Sequence, residues 1–151
     1  MIKEIDILNK ENTEHILSIQ LDSYFVEAKI IGLYDLPPLR DTIESLQQSG
    51  ERFFGYYMDE TLCGVVSIKI EKEEIDIHRL FVHPNYFRKG IAQGLLDFLE
   101  TNFSAKTMKV ATGSKNHPAV KFYLKNKFQR INEMVVDNQI SLSFFKKEFR
   151  V

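Results

Sequence analysis

The chain has a single cysteine, so no internal disulfide can form, and no second thiol or clustered histidine stands near it to complete a metal site. That residue, Cys63, lies among apolar neighbours in "TLCGVVSI", a setting for a buried, inert thiol rather than a nucleophile. No apolar run approaches the length that crosses a bilayer. The opening "MIKEIDILNK" lacks a signal-peptide core and the second-position glycine that myristoylation needs, so a cytoplasmic protein without membrane attachment is expected. A surplus of one charge is missing as well. Twenty Lys and Arg against twenty-one Asp and Glu leave −1, so any attraction for polyanions is local and a nucleic-acid partner is not expected. Neither G-x-x-x-x-G-K-S/T nor G-x-G-x-x-G occurs, which removes the P-loop and the dinucleotide fingerprint. What is present is an ordinary globular mixture, 44% hydrophobic and 27% charged over 151 residues, enough for one domain with a buried core.

The hydrophobic period divides the chain. "IKEIDIL" alternates loosely and reads as an edge strand. "NTEHILSIQLDSYFVEA" sets Ile16, Leu17, Leu21, Tyr24, Phe25 and Ala28 on one helical stripe, with Asn12 or Thr13 as N-cap. Gly32, Pro37 and Pro38 interrupt it, and a second helix follows over Leu39–Gln48, ended by "SG". The period then changes to two. "RFFGYYM" and "TLCGVVSIKI" form strands about a tight turn at Asp59-Glu60, and "EEIDIHRLFV" forms another, closed by His83-Pro84-Asn85. From Gly90, the residues Ile91, Leu95, Phe98, Leu99 and Phe103 fall at helical spacing. "TMKVATG" is a strand and "HPAVKFYLKN" a short helix with Pro118 in its first turn. "FQRINEMVV" and "QISLSFFKKEF" are strands meeting at Asp137-Asn138. The aromatic last strand is expected at a sheet edge or a dimer seam, which makes a homodimer one expectation.

At "VHPNYFRKGIAQGLL" a strand ends in a basic turn and opens a helix. The first N–H groups of such a helix lack partners, and with the dipole they attract an anion. Gly90 and Ala92 keep the approach free of bulk, while Arg88 and Lys89 add charge close to a pyrophosphate. The same residues also suit a solvated basic loop whose glycine serves only the turn.

Here the chain resembles the GNAT superfamily of acyl-CoA-dependent N-acyltransferases. "IDIHRLFVHPNYFRKGIAQGLLDFL" is similar to that family's strand–loop–helix, whose loop is written Q/R-x-x-G-x-G/A, and "NHPAVKFYLKNKF" is similar to its N-x-x-A-x-x-F-Y-x-x-x-G-F. The order of elements fits along essentially the whole length. Phe87 stands where the family has Gln or Arg, and Lys127 replaces a glycine at a helix end, where it is expected to be left-handed. The resemblance implies one α/β (α+β) domain over residues 1–151, with a mixed, mostly antiparallel sheet of about seven strands flanked by about four helices. It implies acetyl-CoA as acetyl donor and no metal. By position, Leu80, Phe81 and Val82 meet the pantetheine arm, and Phe87, Arg88, Lys89, Gly90, Ile91 and Ala92 hold the pyrophosphate. Asn116 touches the cofactor or caps its helix, and Tyr123 sits near the thioester sulfur.

The chemistry so implied needs a neutral attacking amine, fixed donors for the oxyanion and a proton for the leaving thiolate. Tyr123 is the candidate acid, set against a packed core tyrosine. Asp76 is the candidate base, and strand alternation places it and His78 on one face with Leu80 and Val82 unless a bulge intervenes. Asp76 and His78 also fit a solvent-exposed polar pair, while His15, His83 and His117 look structural or exposed. For the amine acceptor, Tyr24, Glu27, Tyr34 and Asp35, with His78, offer aromatic faces and carboxylates. The expected activity is acetyl transfer to a primary amine, of a small molecule or a protein, by direct attack in a ternary complex. Its rivals are a longer acyl donor, a catalytically silent acyl-CoA sensor, and an interaction domain that binds no coenzyme A.

Overall fold

The computed structural model describes residues 1–32, 36–136 and 140–149. Strand β1 (Ile2–Ile5) leads into helix α1 (Lys10–Ile31), a 3-10 turn at Pro37–Arg40 and the short helix α2 (Ile43–Gln47). A run of three strands follows: β2 (Arg52–Met58), β3 (Thr61–Glu71) and β4 (Glu74–Val82). After a 3-10 turn at Pro84–Tyr86 come α3 (Ile91–Asn102), β5 (Thr107–Gly113), α4 (His117–Lys125), β6 (Gln129–Val136) and β7 (Ile140–Glu148). The strands form one sheet of seven in the order β1-β2-β3-β4-β5-β7-β6. β4 and β5 are parallel, and the other neighbours are antiparallel. This is the expected architecture.

The sheet is covered on both faces. On one, α3 and α4 close a core of Phe54, Val66, Ile68, Ile75, Ile77, Leu95, Leu99 and Phe145. On the other, α1 and α2 cover Ile5, Phe53, Val65 and Phe81. Gly64 lets α3 approach β3 closely. A Cβ there would stand 2.7 Å from Ile91 Cγ2 and 3.2 Å from the Phe81 carbonyl oxygen.

Several expectations change. Helix α1 starts earlier, because the Asn9 side chain accepts from the Asn12 N–H at 3.1 Å, and it ends on left-handed Gly32. Its buried stripe includes Ile19 and Gln20, whereas Phe25 is exposed under the Lys29 ammonium. The second helix does not run unbroken over Leu39–Gln48. Asp41 is drawn to Gln20 and Arg79, and Thr42 starts a new helix through a reciprocal cap with Ser45. β7 is not an edge strand, since it pairs with β5 on one side and β6 on the other. The edges are β1, as expected, and β6, with Ile131, Met134 and Val135 exposed. The Asp59-Glu60 turn is as expected, with both residues at positive φ, and Lys72-Glu73 repeats it between β3 and β4. Asp137 and Asn138 lie outside the described residues, as do Tyr34 and Asp35.

Candidate active site

β4 and β5 pair only from Glu74 and Thr107 to Ile77 and Val110. Just beyond, β4 carries one extra residue, His78: Ile77 faces Ile68 on β3, but Arg79 faces Ser67. Such a bulge bends the strand and interrupts its ladder. From Leu80 onward β4 has no strand pairing on its β5 side among the described residues. The His83 N–H reaches the Cys63 carbonyl at 2.8 Å, so alternation turns the Phe81 backbone toward β3 and those of Leu80 and Val82 toward the opening. A cleft of about 1020 Å³ occupies that opening, walled by α1, α4 and the end of β5.

One end of the cleft meets the start of α3. Arg88 and Gly90 both have left-handed backbones, at φ +64° and +76°. Gly90 is the N-cap and no side chain caps the helix, so its first N–H groups remain for a ligand. A Cβ on Gly90 would meet nothing within 4 Å, so the glycine answers to backbone conformation and not to crowding. Left-handed residues beside a helix N-terminus form a concave row of donors suited to phosphate. Phe87, Arg88, Ile91 and Ala92 also line the cleft, although the Ile91 side chain is buried in the core. Lys89 is not among the lining residues; its ammonium lies over the Tyr86 ring, 5.8 Å from the centroid.

Near the middle, α1 and α4 bring Tyr24, Glu27, Asn116 and Tyr123 to the same cleft. The Asn116 amide donates to Glu27 Oε1, while Asn116 Oδ1 accepts from the Ala119 N–H at 3.3 Å and so caps α4. Burial pushes the Glu27 carboxyl above the usual carboxylate range, against the opposing bond from Asn116. Tyr123 is 5% exposed, and its ring is held against Phe122, Phe128 and Phe145. Burial, and then the Glu27 charge, raise its hydroxyl far above an ordinary phenol, so it keeps its proton at every physiological pH. Tyr24, whose ring leans on Phe81 at 5.9 Å, is raised likewise, by burial first and Glu27 second. A carboxyl able to take a proton and a phenol able to give one thus share a water-poor recess.

The bulge overturns the expected grouping on β4. Leu80 and Val82 belong with Ile75 and Ile77 in the core under α3, whereas Phe81 packs on the α1 side. Phe81 lines the cleft with its backbone committed to β3 and its side chain 4% exposed. Asp76 is not among the lining residues. Its Oδ2 lies 3.2 Å from His78 Nε2 and 4.0 Å from Lys109 Nζ, so the candidate base is not brought to Tyr123. His78 lines the cleft, with Nδ1 3.9 Å from Glu51. His83 is structural, its Nδ1 accepting from the Asn85 N–H at 3.0 Å, and Cys63 is fully buried.

Arg79 is a residue the sequence pattern does not single out. Its guanidinium donates to Asp41 Oδ2 and, at 2.9 Å, to Glu51 Oε1, tying β4 to the turn before α2 and to the start of β2. Gln20 and Ser67 complete the cluster. The one legible signal is a charged residue inside an apolar strand.

A family model described as an acetyltransferase (GNAT) domain matches residues 36–149. The chain belongs to that family. Over 140 residues it is 37% identical to the UPF0157 protein YqkA of Bacillus subtilis, covering 91% of this chain but 41% of that protein, so it spans less than half of that relative's length. It is 26% identical over 141 residues to the spermidine N(1)-acetyltransferase of Thermoplasma acidophilum, covering 83% of this chain and 88% of that one. Among solved structures, the PaiA N-acetyltransferase of Thermoplasma acidophilum in complex with coenzyme A superposes with a TM-score of 0.79 at 22% identity, covering 99% of this chain and 98% of that one. The ribosomal-protein-S18-alanine N-acetyltransferase of Escherichia coli gives 0.77 at 12% identity, covering 98% and 92%. These likenesses show that the GNAT fold extends over this whole chain. No helix among the described residues is long and apolar enough to cross a membrane.

Proposed function

We propose that this GNAT chain transfers an acetyl group from acetyl-CoA to a primary amine by direct attack in a ternary complex. One observation carries it: a single cleft runs from the uncapped start of α3, past the open edge of β4, to Tyr123 and Glu27. The residues fit the donor. The left-handed backbones at Arg88 and Gly90 and the free amides after them suit a pyrophosphate, and the outward backbone groups of Leu80 and Val82 suit a pantetheine amide. The coenzyme A bound to the PaiA neighbour supports the same donor.

Acetyl-CoA supplies an acyl carbon open to attack and a sulfur that leaves. Glu27 accepts a proton from the incoming ammonium, and its raised pKa brings it nearer to that task than an exposed glutamate. Tyr123 holds a proton at its hydroxyl for the leaving sulfur. Asn116 positions Glu27 and, by capping α4, the turn that carries Tyr123. Acceptor-dependent release of free thiol from acetyl-CoA tests the activity, with calorimetry reading coenzyme A binding separately. Tyr123→Phe is expected to lower turnover by about 100-fold with acetyl-CoA affinity kept. Binding without any acceptor-dependent thiol release would leave the silent sensor in its place, and no heat at millimolar coenzyme A would remove both.

A further inference from the structure

We infer that Arg79, acting through Gln20, is a positioning residue for the amine acceptor. The inference rests on the acetyl-transfer reading and names the side chain that holds one wall of that site in place. Leu36, Pro37 and Pro38 line the cleft, as do His78 and Arg79 of β4. On that reading the donor spans the cleft from the start of α3 to Tyr123, and the proline turn walls what remains.

Two adjacent prolines bring no N–H to fix such a turn. Within it the Leu39 N–H reaches the Leu36 carbonyl at 2.9 Å. The Pro38 carbonyl accepts from the Gln20 amide of α1, also at 2.9 Å, and the same nitrogen donates to Asp41 Oδ2 at 2.7 Å. An amide can present either end, and Arg79 selects which. A guanidinium only donates, so the Gln20 oxygen faces Arg79 Nη1 at 3.2 Å, and the nitrogen is left for Pro38 and Asp41. Nη1 also donates to Asp41, while Nε and Nη2 grip the two Glu51 oxygens at 2.9 and 3.3 Å. One planar group therefore sets the spacing between β4 and the turn.

The bulge is what brings Arg79 there. Ile77 belongs to the core under α3, and strict alternation would send residue 79 to the same side. The extra residue, His78, turns Arg79 to the α1 face instead, where Phe81 also packs. The irregularity that opens the cleft thus also aims the side chain that fixes one of its walls.

The test measures kcat and KM by thiol release with spermidine, 2-phenylethylamine and a peptide with an N-terminal alanine. The acceptor that the parent turns over fastest is carried forward. Coenzyme A affinity is read by calorimetry, and stability by urea midpoint, on the same proteins. Gln20→Met removes the amide, and Arg79→Lys replaces the fork with an ammonium that cannot hold Gln20, Asp41 and Glu51 at once. Each is expected to raise the KM of the amine about tenfold, with kcat and coenzyme A affinity within about twofold of the parent. Ser67→Ala is the control. It removes a hydroxyl that donates to Glu51, loosening the cluster from β3 without touching the turn, and is expected to leave KM as in the parent. If Arg79→Lys does not fold, Gln20→Met decides alone. An unchanged KM in a folded variant overturns the inference while leaving acetyl transfer standing. So does a coenzyme A affinity that falls in step with the amine, or a KM that rises as much in Ser67→Ala, which would make lost stability the cause. A parent that binds no coenzyme A, or binds it and turns over no amine, removes the acetyl-transfer reading and this one with it.

Discussion

Phe128 donates its backbone N–H to the carbonyl of Tyr123 at 3.0 Å, five residues back across the end of α4. Lys127 donates to Leu124 at 3.1 Å, and the Phe128 ring packs on Tyr123 with centroids 5.5 Å apart. This is the Schellman arrangement, and it requires Lys127 at φ +70°, where a side chain crowds the backbone. The turn that anchors the candidate acid is therefore closed by a strained residue. Lys127→Gly is expected to raise stability by about 1 kcal/mol, read as a higher urea midpoint at unchanged slope. Equal or lower stability would mean that the lysine relieves its strain elsewhere.

Two arginines separate buried from exposed electrostatics. The Arg79 side chain is 14% exposed, between Asp41 at 19% and Glu51 at 6%. Arg52 pairs with Glu4 in the open, both about half exposed. Arg79→Met is expected to cost about 3 kcal/mol because it strands two partly buried carboxylates. Arg52→Met is expected to cost less than about 1 kcal/mol, since water already screens that pair. Burial raises Asp41, but hydrogen bonds from Arg79 and Gln20 outweigh it and leave its carboxyl below the ordinary range. A carboxyl so depressed contributes stability above its unfolded pKa, and that contribution is lost as pH falls through the folded one. The acid-induced loss should be smaller in Arg79→Met. Denaturant titrations of the three proteins at neutral and acid pH check both statements.

Much of the fold is legible in the sequence because period and punctuation agree across it. The alternation of "RFFGYYM" and "TLCGVVSIKI", the spacing of Ile91, Leu95 and Leu99, and Pro118 in the first turn of α4 each answer to a local rule. The failures are tertiary. Nothing local distinguishes His78 as the bulged residue, yet that one insertion sends Asp76 away from Tyr123 and opens the cleft. Gln20 counts as polar in any periodic scheme, and it is buried because Pro38, Asp41 and Arg79 receive it. β7 reads as an edge from its position in the chain, but strand order is set by the crossover through α4. The basic turn proposed to hold the pyrophosphate is legible as a motif. That Glu27 stands beside Tyr123 is not, since α1 and α4 lie far apart in sequence.

The Glu27–Asn116 bond makes pH the sharpest probe of the proposed chemistry. Glu27 faces Tyr24 on its own helix and Asn116 and Tyr123 on α4, and Arg79 on β4 also faces Tyr24. Neither phenol ionises at usable pH, so the carboxyl is the group of this recess that titrates on the acid side. It works as a carboxylate, and its pKa is raised, so kcat/KM should climb with pH through a value above the ordinary glutamate range and fall below it. The stability sign is opposite. A raised folded pKa favours the protonated form in the folded state, a contribution present at low pH and lost as pH rises through that value. Glu27→Gln keeps an acceptor for the Asn116 amide and carries no charge to desolvate. It should therefore be slower, lack the acid limb, and be at least as stable as the parent at neutral pH. A merely structural carboxylate would show the reverse, with stability lost and the pH–rate profile unmoved. Rate profiles and urea midpoints on the same two proteins decide between them.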